Sequence, residues 1–356
     1  MGNSLRKVES DQPSAATIDM LTEIWQRVLQ RSHIGPEERL YDVGANDALA
    51  DKAFNEMGRA FDRPLPTATI CHAPTIAALA ALLEQPVLPR FLPFVKLKAG
   101  SEKTPILIAP GVGGRARFAE LAQHIRTEHA IYGIQAKGVD GMEEPFDRIE
   151  DMAAYYLAAL VELQPLGPYI LIGYSFGGLI ALEMAQRLTE AGKPVALLAL
   201  LDSYPHPRCL PPGQRLWLIT KKIERHFSDL GQKPLGVAFS QVLGAVKQRL
   251  QIAEIHEPGE PAASSRLSFA QTTVRVKKSD FVAMKRYEPR FYPGKIRFVR
   301  PEFNSYLPTD PTPFWKALAA ELEIETVPGD HLGMVGVQCK SLAAVLTRYV
   351  HDSSVG

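Results

Sequence analysis

The feature that most limits the fold is the six-residue run GYSFGG, residues 173–178, set between two segments of opposite character. Before it stands YILI, an apolar run suited to a strand buried on both faces. After it comes LIALEMAQRLTEAG, whose apolar residues recur at helical spacing. A strand passing into a helix through Gly-x-Ser-x-Gly predicts a sharp turn with Ser175 at its apex, in strained backbone and facing the first amides of the helix. Small neighbours are needed at Gly173 and Gly177, where a Cβ is expected to collide with adjacent strands.

The rest of the C-terminal chain fits a sheet around this turn. The runs PILIAP (105–110), AIYGIQ (130–135), VALLALLDS (195–203), KIRFVRP (295–301) and LEIETVPG (322–329) are β-rich. Amphipathic segments at 115–126, 148–162 and 176–191 lie among them. Strands alternating with helices predict a mainly parallel sheet covered on both faces, an α/β fold. About ninety residues separate LLDS from KIRF, with helical segments near 213–226, 233–250 and 268–286. An interval that long is rarely a plain loop, and residues 205–290 read as a helical lid.

The first part of the chain differs. ATIDMLTEIWQRVLQ carries Ile18, Leu21, Ile24, Trp25, Val28 and Leu29 at helical spacing, and DALADKAFNEMGRAF and APTIAALAALLEQ follow as further helices. Residues 15–85 are expected to form a small helical domain, 86–93 a Pro-rich linker and 94–352 the α/β domain. A length of 356 residues and 46% apolar content suit two globular units. Three widely spaced cysteines give neither a disulfide framework nor metal spacing, so a reducing compartment is expected. There is no apolar signal core and no run of membrane-spanning length, so the expected location is cytoplasmic. A net charge of +1 gives no global pull toward nucleic acid or membrane. The charge is nonetheless segregated: residues 1–87 carry 8 Lys/Arg against 12 Asp/Glu, and residues 205–290 carry 15 against 7.

A serine hydroxyl is a weak nucleophile and needs a base with an orienting acid. In folds with this turn the chain order is Ser, acid, His. His331, in VPGDHLGMV after the last strand-like run, is the best-placed base. Two acids compete. Asp202 ends the buried run VALLALLD, whereas Asp310 lies in the Pro-rich LPTDPTP. Negative charge on a reacting carbonyl needs two backbone donors. The expected ones are Phe176, after the nucleophile, and Val112 in the loop IAPGVGGRA, with Gly113 as second choice. That glycine loop lacks the Lys-Ser/Thr pair of a phosphate-binding loop.

Residues from about 92 to 350 resemble the thioesterase domains that end nonribosomal peptide and polyketide synthetases. The likeness runs through YGIQAKGVDG, the GPY…GYSFGG…EMA segment, VALLALLDS and VPGDHLGMV. It implies an α/β-hydrolase with a helical lid, a Ser175–His331–Asp202 triad, oxyanion donors at Val112 and Phe176, and no bound cofactor or metal. It also implies an acyl, peptidyl or polyketide substrate carried on a phosphopantetheine arm. Residues 15–85 resemble the carrier domain that precedes such a thioesterase, but in LYDVGANDALA Ala45 replaces a usual glycine and Asp47 the arm-bearing serine. Asp47 is therefore expected to cap its helix rather than carry an arm, and the partner to be a carrier protein or synthetase module acting in trans. A carboxylesterase or lipase of the same fold, and a non-catalytic carrier-docking protein, are the alternatives.

Overall fold

In a computed structural model the chain is described at residues 13–45, 47–62, 65, 67–71, 73–85, 93–113, 118–210, 212–213, 216, 269–303 and 310–354. The helices are α1 (Ala15–Leu29), α2 (Asp47–Ala60), α3 (Ile76–Leu83), α4 (Ala119–His124), α5 (Ile149–Leu163), α6 (Phe176–Glu190), α7 (Phe269–Arg286), α8 (Thr312–Trp315) and α9 (Cys339–Ser354). The strands are β1 (Phe94–Lys98), β2 (Ser101–Ala109), β3 (His129–Ile134), β4 (Tyr169–Tyr174), β5 (Val195–Leu201), β6 (Tyr292–Pro301) and β7 (Ala319–Val327).

Helices α1 to α3 enclose a core of their own, with Trp25 edge-on to Phe54 at 6.3 Å. The Ser14 hydroxyl accepts from the Thr17 amide and caps α1, and the Thr75 hydroxyl does the same for α3 through Ala78. Glu84, just past α3, accepts from the Ser14 amide and the Thr17 hydroxyl and so ties the two ends together. Asp47 is the first residue of α2, as expected for a helix start; its side chain lies outside the described residues, as does the 86–92 part of the linker.

The seven strands form one sheet in the order β1-β3-β2-β4-β5-β6-β7. β1 is antiparallel to β3 and every other neighbouring pair is parallel. Alternation along each strand builds two cores. Leu107, Leu171, Leu198, Leu200 and Phe298 face α5, α6 and α8. Ile106, Ile108, Ile170, Ile172, Leu197 and Val299 face α4 and α9. A side-chain period of two lets one apolar run feed both layers, which explains why the inner parts of β2, β4 and β5 read as continuous apolar runs. Helix α9 was not among the expected elements, yet Leu342, Ala343, Leu346, Tyr349 and Val350 give it a buried stripe.

Of the expected lid, the first two helical segments lie almost wholly outside the described residues; the third is α7. Its buried residues Thr272, Thr273, Val276, Asp280 and Ala283 make one helical face. The Thr272 hydroxyl donates to the Val139 carbonyl at 3.1 Å, and Arg275 and Arg286 pair with Glu144 and Asp147. Helix α2 of the acidic N-terminal domain packs against this basic helix.

Candidate active site

Ser175 stands between β4 and α6 with φ 53° and ψ −120°, a conformation that costs a non-glycine residue about 1–3 kcal/mol. The turn is fixed from outside: the Ser175 amide donates to the Leu201 carbonyl of β5 at 2.9 Å. A Cβ at Gly177 would lie 2.3 Å from the Ala109 carbonyl oxygen and 2.4 Å from that of Pro110, at the end of the neighbouring β2. Gly173 is crowded for another reason than expected. A Cβ there would strike Gly177 and Gly178 at the start of α6, at 2.4 Å, and not a strand.

Asp202 follows β5 directly and is wholly buried, with its amide donating to the Val299 carbonyl of β6 at 2.8 Å. Its Oδ2 lies 2.7 Å from His331 Nδ1. A neutral imidazole donating Nδ1–H to that carboxylate keeps the Nε2 lone pair for accepting a proton. The competing acid, Asp310, is exposed and accepts from the Thr312 amide at 2.9 Å, making the turn into α8. The structure thus joins His331 to Asp202 and gives Asp310 a local task.

Tyr174, the residue before the serine, holds His331 from the other side. Its ring stacks on the His331 ring at 4.8 Å with an interplanar angle of 24°, and its hydroxyl donates to the His331 carbonyl at 2.7 Å. Burial first, and then the charge of Asp202, raises the phenol above its ordinary range and keeps that donor protonated.

The loop after β2 passes beside the serine, because a Cβ at Gly111 would meet Ser175 Cβ at 3.4 Å. Gly113 has φ 101°, and its amide donates to Asp280 Oδ2 of α7 at 2.8 Å. Of the two loop amides considered, Gly113 is therefore engaged and Val112 is the better candidate donor. Phe176 opens α6, and as the first residue of the helix its amide has no carbonyl a turn earlier within the helix to donate to.

Among the described residues one group has metal-ligand chemistry: Glu120, His124 and Cys339, with ligand atoms within 4.8 Å of one another. Burial first, and then the Glu120 charge and its hydrogen bond, raise the Cys339 thiol, so this is a protonated thiol facing a carboxylate. Among the described residues no helix is long and apolar enough to cross a membrane.

The family description "Thioesterase domain" matches residues 104–350. The chain belongs to that family. This thioesterase is 28% identical over 302 residues to a dimodular nonribosomal peptide synthase of Bacillus subtilis, covering 81% of the chain and 12% of that protein. It is 34% identical over 191 residues to an indigoidine synthase of Streptomyces lavendulae, covering 53% of the chain and 15% of that protein. The chain thus spans a small fraction of the length of these relatives. A solved four-domain nonribosomal peptide synthetase, bound to AMP and glycine, shares the fold over 98% of the chain and 27% of its own length. Its TM-score is 0.55 at 19% identity. That coverage takes in the N-terminal helices as well as the α/β-hydrolase domain of the thioesterase.

Two residues of the candidate site were missed from sequence. Tyr174 is the variable position of Gly-x-Ser, where any residue fits the motif. Asp280 is the one acid between Arg275 and Arg286, a local anomaly in a basic run that could have marked it.

Proposed function

We propose that the chain is a serine thioesterase that releases an acyl, peptidyl or polyketide chain from a phosphopantetheine carrier supplied in trans. The observation that carries this reading is the 2.7 Å pairing of His331 with buried Asp202, next to a strained Ser175. Ser175 Oγ attacks the thioester carbonyl carbon while its proton passes to His331 Nε2. Asp202 holds the imidazole in the required tautomer and stabilises the imidazolium. The amides of Val112 and Phe176 donate to the oxyanion, each such donor being worth about 3–4 kcal/mol where measured. The carbon–sulfur bond then breaks, and the imidazolium returns its proton to the thiolate. The acyl-Ser175 ester is opened by water to give an acid, or by a nucleophile within the acyl chain to give a ring.

Action in trans is supported by Asp47 at the position where a carrier has its serine. The basic lid supports an acidic carrier as the partner. Arg275 and Arg286 are already paired, so the described steering charge of α7 falls to the exposed Lys277, Lys278 and Lys285. Screening beyond about 8–10 Å confines their influence to encounter, so rates on carrier-bound substrate should fall with ionic strength.

The test is a panel of acyl- and peptidyl-pantetheine thioesters read by intact mass. Hydrolysis or cyclisation that disappears in Ser175→Ala is the expected result. Faster turnover of matched oxygen esters would favour a carboxylesterase, and failure of a fluorophosphonate to label Ser175 would favour a docking protein.

A further inference from the structure

The loop that offers Val112 is gripped from the lid. Asp280 is 2% exposed and reaches across from α7 to accept the Gly113 amide, the residue after Val112. One turn earlier on the same helix, Lys277 lies over Gly113; a Cβ there would come within 3.1 Å of Lys277 Cε. On α5 the buried Tyr156 feels the charge of the same carboxylate, which adds to burial in keeping the phenol protonated. Burial pushes the Asp280 carboxyl up to about 7, and the Gly113 amide is the contact that pulls the other way. A buried carboxylate with this one described hydrogen-bond partner is costly to keep for packing alone, since an apolar residue of similar size would fill the space.

We propose that Asp280 is a positioning residue of the oxyanion hole: its carboxylate takes the Gly113 amide and so keeps the neighbouring Val112 amide directed at the carbonyl bound to Ser175. The inference rests on the thioesterase reading given above. It makes the oxyanion hole depend on the lid, because lifting α7 removes the acceptor and releases the loop. An oxyanion donor acts mainly in the transition state, so its displacement lowers kcat with little change in KM.

Two variants of the full chain separate the acceptor from the volume. Asp280→Asn keeps a side-chain oxygen, and Asp280→Leu keeps the size without an acceptor. Each is assayed on the acyl-pantetheine thioester that the unmodified chain turns over fastest, and with a trifluoromethyl ketone bearing the same acyl group, whose serine adduct carries the oxyanion. The expected result for Asp280→Leu is a kcat lowered about 10- to 100-fold, KM within about threefold and ketone inhibition weakened in parallel with kcat. Asp280→Asn should recover most of both. Unchanged kcat in Asp280→Leu would overturn the inference, as would equal losses in both variants. If Asp280→Leu does not fold, Asp280→Ala takes its place; failure of both to fold beside a folded Asp280→Asn would make the role structural and also overturn it. An unmodified chain inert toward every thioester sinks the thioesterase reading and this inference with it, whereas activity retained without the acceptor sinks this inference alone.

Discussion

His331 Nδ1 and Asp202 Oδ2 meet at 2.7 Å although 129 residues separate them in the chain. The pairing fixes which imidazole nitrogen is left for the serine. Asp202→Asn should therefore lower kcat by about 10³–10⁴-fold, since an amide donor in that place favours the wrong tautomer. Asp310→Asn should stay near the activity of the unmodified chain, its role being a turn. Steady-state kinetics on one thioester, with melting curves to check folding, decide this. Equal effects of the two substitutions would refute the assignment.

Tyr174→Phe removes the hydroxyl that holds the His331 carbonyl and keeps the stacked ring. A lost hydrogen bond of about 1 kcal/mol predicts a fall of roughly 3- to 10-fold in kcat. Tyr174→Ala removes the stack as well and should cost more. If Tyr174→Phe alone matched Tyr174→Ala, the ring would be shown to contribute nothing.

Gly177→Ala tests the crowding at the elbow. The new methyl would lie 2.3 Å from a backbone oxygen that belongs to a central strand, so neither side yields easily. A loss of about 3 kcal/mol and a Tm lower by roughly 6–12 °C are expected. A melting temperature unchanged by the substitution would mean that β2 and α6 can separate at little cost.

Asp280 also gives a pH-dependent stability. Its carboxyl is raised to about 7 in the folded chain, against about 3.9 when unfolded. Between these values the folded state binds more protons than the unfolded one. The contribution is therefore fully present below about pH 4 and is lost as pH rises through 7. Asp280→Asn lacks this loss, so its stability relative to the unmodified chain should grow between pH 4.5 and 8, by a few kcal/mol at most. Denaturant melts across that range are the measurement, and a difference independent of pH contradicts the raised carboxyl.

The N-terminal domain gives the last prediction. With Asp47 in place of serine, incubation with a promiscuous phosphopantetheinyl transferase and coenzyme A should leave the intact mass unchanged, while Asp47→Ser restores the hydroxyl and should gain one arm. An arm on the unmodified chain would restore a carrier in cis.

Strands β2 to β5 and the elbow were legible because their inner runs are buried on both faces and so read as continuous apolar runs. Strand β6 and the edge strand β7 were legible instead from the alternation of apolar with charged residues in KIRFVRP and LEIETV. Helix α9 was legible in principle, but Lys340, Ser341, Thr347, Arg348 and His351 dilute its stripe. Pattern favours Asp202 over Asp310, since Asp202 directly follows a wholly apolar run and Asp310 lies in a Pro-rich loop. Both follow strand-like runs, however, and the approach of the His331 loop to Asp202 leaves no mark in the sequence. Asp280 left no readable partner, because a carboxylate that accepts from a backbone amide 167 residues away imposes no residue type on its mate.

Ser175 and Asp202 share one more property: both are non-glycine residues in left-handed backbone, at φ 53° and φ 43°. Glycine would relax either position, and either replacement would delete a side chain of the proposed triad. Thermal hardiness and turnover are thus opposed at two neighbouring strand ends of this fold. Directed evolution of the enzyme for heat tolerance without an activity screen should accumulate glycine there first, and its most robust descendants would be inert.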